Sequence, residues 1–99
     1  MRIIARRTLR EFWEQDAHQD AEQPLKAWYA EAKNATWRTP AEVKAQYRSA
    51  SVLGDHRVVF NIAGNKYRLV VKFNYNVGVG YVRFVGTHRA YDQIDAETI

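Results

Sequence analysis

The spacing of apolar residues along the chain changes once, near residue 57, from a helical period to an alternating one. Before that point Leu9, Phe12 and Trp13 stand at i, i+3 and i+4, and Leu25, Trp28, Tyr29 and Ala32 mark one face at the same spacing. Residues 1–5 are short and β-prone. Thr8 and Glu11 form a capping-box pattern that predicts a first helix starting there. Residues 15–23 read as a helix end and a loop. Pro24 suits the first turn of a second helix, and Asn34 its stop. Thr39-Pro40-Ala41-Glu42 is a second capping box, leading into Val43 and Tyr47.

Beyond Arg57 the alternation has period two. Val58, Phe60 and Ile62 lie opposite Arg57, Val59 and Asn61, and Ala63-Gly64-Asn65 reads as a hairpin turn. In the next strand Tyr67, Leu69, Val71 and Phe73 face one way, and Lys66, Arg68, Val70 and Lys72 the other. Residues 74–80 form a loop. Residues 81–85 form a third strand with Val82 and Phe84 opposite Tyr81, Arg83 and Val85, broken by Gly86, and residues 87–92 follow as a polar, aromatic tail. The predicted fold is a single α+β domain over residues 1–99, a strand and two to three helices packed on a twisted antiparallel sheet. The aromatic residues on the helices are expected in its core.

Charge adds a direction to this picture. Within the net +4 the charge is uneven: +4 over residues 1–10, −5 over residues 11–31, +6 over residues 56–90, where no acid occurs, and −3 over the last nine residues. The face opposite the helices would present Arg57, Asn61, Lys66, Arg68, Lys72, Tyr81 and Arg83 together, with Arg89 beyond. Bases on three consecutive strands with aromatics among them suit an RNA platform. The alternative is an ordinary solvated face, although such faces usually mix Glu with Lys. Arg2, Arg6, Arg7 and Arg10 are either surface charge or contacts to RNA or an acidic partner. The absence of cysteine removes thiol chemistry and Cys-ligated zinc. His18, His56 and His88 are too far apart in sequence for a metal motif. Gly78-Val-Gly80 precedes no helix pattern, so it is no nucleotide fingerprint. No cofactor is expected. The chain has neither a signal-peptide core nor a membrane-spanning run, so a cytoplasmic protein is expected.

Residues 58–71, residues 81–88 and Tyr91-Asp92 resemble the HigB toxins of type II toxin–antitoxin pairs. Trp28-Tyr29, Trp37-Arg38-Thr39-Pro40 and Arg2-Ile3-Ile4 extend the likeness over nearly the whole chain. Its most specific parts are Asn65-Lys66-Tyr67-Arg68-Leu69 and Gly86-Thr87-His88 with Tyr91-Asp92. The resemblance implies the RelE/ParE-like fold and a sequence-relaxed endoribonuclease acting on mRNA in the ribosomal A site. It implies a HigA-type antitoxin with a helix-turn-helix, through which alone the toxin would meet operator DNA.

Such cleavage needs no protein nucleophile or metal, because the substrate's 2′-OH attacks the adjacent phosphorus. The protein must move protons and neutralise transition-state charge. Carried over by position, Lys66 and Arg68 would contact phosphate and Arg83 would stabilise transition-state charge. His88 would transfer a proton, being of the residue type that titrates near neutrality. Tyr91 would assist as acid, base or stacking surface. Arg57, Asn61, Lys72, Tyr81 and Arg89 complete the expected RNA-binding set. Structural alternatives stand beside these roles: His88 closing the sheet end, and Tyr91 tucked against the core. Two other functions also fit the fold, a ParE-like toxin that acts by binding alone and an RNA-binding module without toxicity.

Overall fold

The computed structural model describes residues 1–99. Strand β1 (Arg2–Ile4) leads into α1 (Arg6–Trp13), a 3-10 stretch (Asp16–Ala21), α2 (Glu22–Asn34) and α3 (Pro40–Gln46). The short β2 (Ser51–Val52) precedes β3 (Arg57–Ile62), β4 (Tyr67–Asn74), β5 (Val79–Thr87) and α4 (His88–Tyr91). The sheet order is β1-β5-β4-β3-β2, antiparallel except where β1 lies parallel to β5. This is the expected α+β architecture, with β2 and α4 as additions. No helix is long and apolar enough to cross a membrane.

The second capping box forms as expected. Thr39 Oγ1 accepts from the Glu42 amide at 3.3 Å, and the Glu42 carboxylate accepts from the Thr39 amide at 3.2 Å. The first does not. Helix α1 begins at Arg6, so Thr8 lies inside it, and Ala5 precedes the helix without a side-chain cap. The reason is that β1 stays paired with β5 as far as Ile4, opposite Tyr81, and the helix starts directly after.

Rows of residues across β3, β4 and β5 define the two faces. On the inner face Phe60–Leu69–Val85 and Val58–Val71–Val82 lie side by side. Trp28 meets Phe60 edge-on at 5.2 Å, and Trp37 meets Phe73 at 5.7 Å. Leu9, Leu25, Trp28, Val43, Phe60, Tyr67, Leu69 and Phe73 are all essentially inaccessible to solvent. Full burial of such side chains contributes roughly 1.5–3 kcal/mol each.

The third strand departs from expectation at both ends and in its register: it begins at Val79, inside the expected loop. It continues through Gly86 to Thr87, because Gly86 keeps its place in the ladder opposite Arg68. It also carries a bulge: Val71 opposes Val82 while Val70 opposes Phe84, leaving Arg83 as the extra residue. A bulge shifts alternation by one position. Phe84 therefore leaves the face of Val82 for the outer face, and Val85 packs against the main core instead.

The outer face is not open along its length. Val59 and Val70 are buried there beneath Ala96, with Leu53, Phe84 and Tyr91 packed around them. The segment after α4 thus covers the middle of the face. Polar rows remain at either end: Asn61–Arg68–Gly86 at one, Arg57–Lys72–Tyr81 at the other. Four residues of strand separate them, about 13 Å at ~3.3 Å per residue.

Candidate functional site

At the first polar end, the β3–β4 turn and α4 converge. The turn needs left-handed backbone at Ala63 (φ 55°) and Gly64 (φ 69°), and so presents Asn65 outward. Helix α4 is started by Thr87, whose Oγ1 accepts from the Ala90 amide at 3.1 Å. That start turns the chain off β5 and sets His88 beside the turn. Asn65 Oδ1 then lies 3.0 Å from His88 Nε2 and accepts from Arg68 Nη1 at 2.7 Å. The Arg68 guanidinium also stands 5.7 Å from the centre of the Tyr91 ring, within cation–π range. Phe84 reaches Tyr91 from β5, with centroids 6.3 Å apart.

These contacts assign the histidine's tautomer. Arg68 can only donate, so the Asn65 atom facing it is oxygen. That oxygen can only accept from His88, so Nε2 carries a hydrogen. In the neutral ring the free lone pair is then on Nδ1. The site thus holds a fixed cation, a ring nitrogen able to take a proton, and a phenol whose hydroxyl makes no hydrogen bond within the protein.

The structure brings together Arg68, His88 and Tyr91, and adds Asn65, which the sequence places in a turn and in the family-like segment without giving it a role at the site. The signal was present in its neighbourhood, since an amide beside Lys66 and Arg68 at a hairpin tip is placed to organise them. Arg89 is exposed on α4 beside this group.

The remaining expected residues lie elsewhere. Lys66 precedes β4, and its ammonium bonds to Asp20 on the helical side. Asp20 also accepts from the Tyr67 hydroxyl at 2.5 Å. The Lys66 ammonium first, and the Tyr67 hydroxyl with it, hold the Asp20 carboxyl below the usual carboxylate range. Lys66 therefore belongs to a clasp between the β3–β4 turn and the 3-10 stretch, not to the outer face. Arg57 is 4% exposed, with Nη1 donating to Asp55 at 2.6 Å and Nε to the Ile99 carbonyl oxygen at 2.9 Å. It anchors the covering segment and is not free for RNA. Asn61 donates to the Ser49 carbonyl at 3.1 Å. Arg83 donates to the Ile99 oxygen at 3.2 Å, at the far polar end with Lys72 and Tyr81. The expectation that Arg83 and His88 share one site is not met, because the buried apolar row lies between them.

The family model of HigB toxins, described as the RelE-like toxic component of a toxin–antitoxin system, matches residues 21–94. That span includes α2, the sheet apart from β1, and every side chain of the Arg68–Asn65–His88–Tyr91 group. No curated protein matches the chain closely enough to be named as a relative.

Proposed function

The chain belongs to the HigB toxin family, the RelE-like toxic components of toxin–antitoxin systems, and from that premise we propose that it is an endoribonuclease that cleaves mRNA on the ribosome. An antitoxin is its partner by family; a HigA-type antitoxin with a helix-turn-helix, and action in the cytoplasm, are the further parts of this reading. The observation that carries it is the arrangement of Arg68, His88 and Tyr91 around Asn65.

Each group has a step to perform. The RNA's own 2′-OH attacks the adjacent phosphorus and the bond to the 5′-oxygen breaks, leaving a 2′,3′-cyclic phosphate and a 5′-hydroxyl. His88 Nδ1 takes the proton from the 2′-OH, since Nε2 is committed to Asn65. Arg68, fixed by the same oxygen, offers two or more N–H groups to the charge that builds on the phosphoryl oxygens. The Tyr91 ring is engaged by Arg68 and Phe84, which leaves its unbonded hydroxyl to protonate the departing 5′-oxygen.

Primer extension on message from translating extracts tests this directly. The wild-type chain should produce discrete cuts with 5′-hydroxyl ends, and His88→Ala should lower cleavage by about 10²–10⁴-fold. Intact transcripts at a dose that arrests growth would defeat the proposal. Toxicity unchanged in His88→Ala and Arg68→Ala would instead favour a toxin that acts by binding alone.

A further inference from the structure

The second polar end of the outer face opens into a cleft of about 730 Å³. Its size lies within the usual range for small-molecule sites. Arg38, Lys72 and Arg83 supply cationic groups along its walls, Tyr75 and Tyr81 supply aromatic ones, and no carboxylate lines it. Two acids border the group: Asp55 accepts from Lys72 at 3.4 Å and from Arg57 at 2.6 Å, and Glu42 accepts from the Arg38 amide. We propose that this cleft is a second RNA site, binding one nucleotide of a single strand about 13 Å along the strands from the row that carries Arg68, with its base on Tyr81 and its phosphate held by Arg38, Lys72 and Arg83. The proposal rests on the RNA reading above and extends it to a place that none of the His88 group touches.

Three observations point the same way. Tyr81 is 39% exposed, a large aromatic surface left open on a strand between two cationic side chains. An aromatic face flanked by cations is what a stacked base with its phosphate requires, whereas an acidic peptide would need only the cations. Second, the walls are held in place. The Arg38 amide donates to Glu42 at 2.5 Å, tying the arginine to the α3 capping box, and the Tyr75 ring stacks on Phe73 with centroids 5.5 Å apart. The Tyr75 hydroxyl is shielded from solvent and has no partner within the protein. Third, Asp55 (φ 55°) and His56 (φ 63°) both adopt left-handed backbone at the rim. Non-glycine residues in that region cost on the order of 1 kcal/mol or more, and they cluster at functional sites. Here the turn places His56 at the cleft and Asp55 between Lys72 and Arg57.

The covered row Val59–Val70–Phe84 lies between this cleft and the His88 group, and Arg57 and Arg83 hold the end of the covering segment at Ile99. A strand of RNA engaging both would pass around the covering segment.

The test uses equilibrium binding of a short 2′-O-methyl oligoribonucleotide, which has no free 2′-OH and cannot be cut by the mechanism above. The chain of residues 1–99 should bind it, with amide shifts at Lys72 and Tyr81. Tyr81→Ala should weaken binding by about 5- to 150-fold. Arg38→Ala should weaken it and reduce the slope of log K against log salt by about 0.7. Both side chains are exposed, so these variants should fold, and the amide shifts of the wild-type chain provide a readout that needs no variant. Unchanged affinity in both variants, or shifts confined to residues 65–68 and 88–91, would overturn the proposal. So would a polyglutamate peptide that displaces the oligonucleotide and depends on Arg38 but not on Tyr81. The two readings fail separately. Binding through Tyr81 without any cleavage of natural RNA removes the nuclease and leaves the cleft. His88-dependent cleavage with binding indifferent to Tyr81 and Arg38 removes the cleft and leaves the nuclease.

Discussion

On the helical side of the sheet, consecutive apolar rows lie under Trp28, Trp37 and Tyr47, and aromatic rings meet edge-on from both layers. On the other side a single apolar row, Val59–Val70–Phe84, is covered by one short segment through Ala96 and Tyr91, and polar rows flank it. The first arrangement supplies most of the apolar burial that offsets chain entropy. The second uses a small amount of burial to partition a surface. One strand set therefore provides a core on one side and two separate polar ends on the other.

Substitutions that differ only in which face they touch would break or sharpen this comparison. Phe60→Ala on the helical side should cost about 3–5 kcal/mol in urea denaturation, whereas Val59→Ala, one residue away, should cost about 2 kcal/mol or less. Equal losses would mean that the two faces form one core of equal weight. Arg57→Ala removes two of the three donors that hold Ile99, leaving Arg83, and should cost about 1.5–3 kcal/mol. Hydrogen exchange should show lost protection over residues 92–99 while β4 stays protected. Protection lost throughout the sheet would show that the covering segment is part of the main core.

Gly86→Ala probes the join between that apolar row and the His88 end. A Cβ there would stand 2.6 Å from Phe84 Cζ, and Phe84 leans on Tyr91. The substitution should cost about 1–3 kcal/mol and move the Tyr91 ring signals in NMR spectra. Gly54→Ala, which meets nothing within 4 Å, should do neither.

The smallest effect concerns pH. Asp20 has its native pKa lowered by Lys66 and Tyr67, so its contribution to stability is complete above the ordinary carboxylate value of 3.8 and is lost as pH falls through the native value. Asp20→Asn should remove that contribution at neutral pH and flatten the acid limb of a stability–pH curve. An unchanged acid limb would show that the clasp between Lys66 and Asp20 has no thermodynamic weight.

Much of this architecture was legible in the chain. The change of period at Arg57 separates helices from sheet, and the Thr39–Glu42 box predicts the start of α3. The hairpin at Ala63-Gly64-Asn65 follows from turn chemistry. His88, Tyr91 and Arg68 were identifiable as a group, although their common partner Asn65 was not. The error over the open basic face had its warning in the sequence. Val59 and Val70 occupy positions on the face read as polar, and two facing valines on adjacent strands ask to be covered. What could not be read was the cover itself, because residues 92–99 have no strong period.

Local pattern determined which residues form helices and strands, because side-chain periodicity and capping act over a few neighbouring positions. The bulge at Arg83, the burial of Arg57 under Ile99, and the diversion of Lys66 to Asp20 were decided only by tertiary structure. Each depends on a residue brought from another part of the chain. The sequence by itself therefore determined a basic, aromatic C-terminal half on an α+β scaffold. Packing of residues 92–99 across the apolar row decided that this half carries two separate polar ends, not one continuous face.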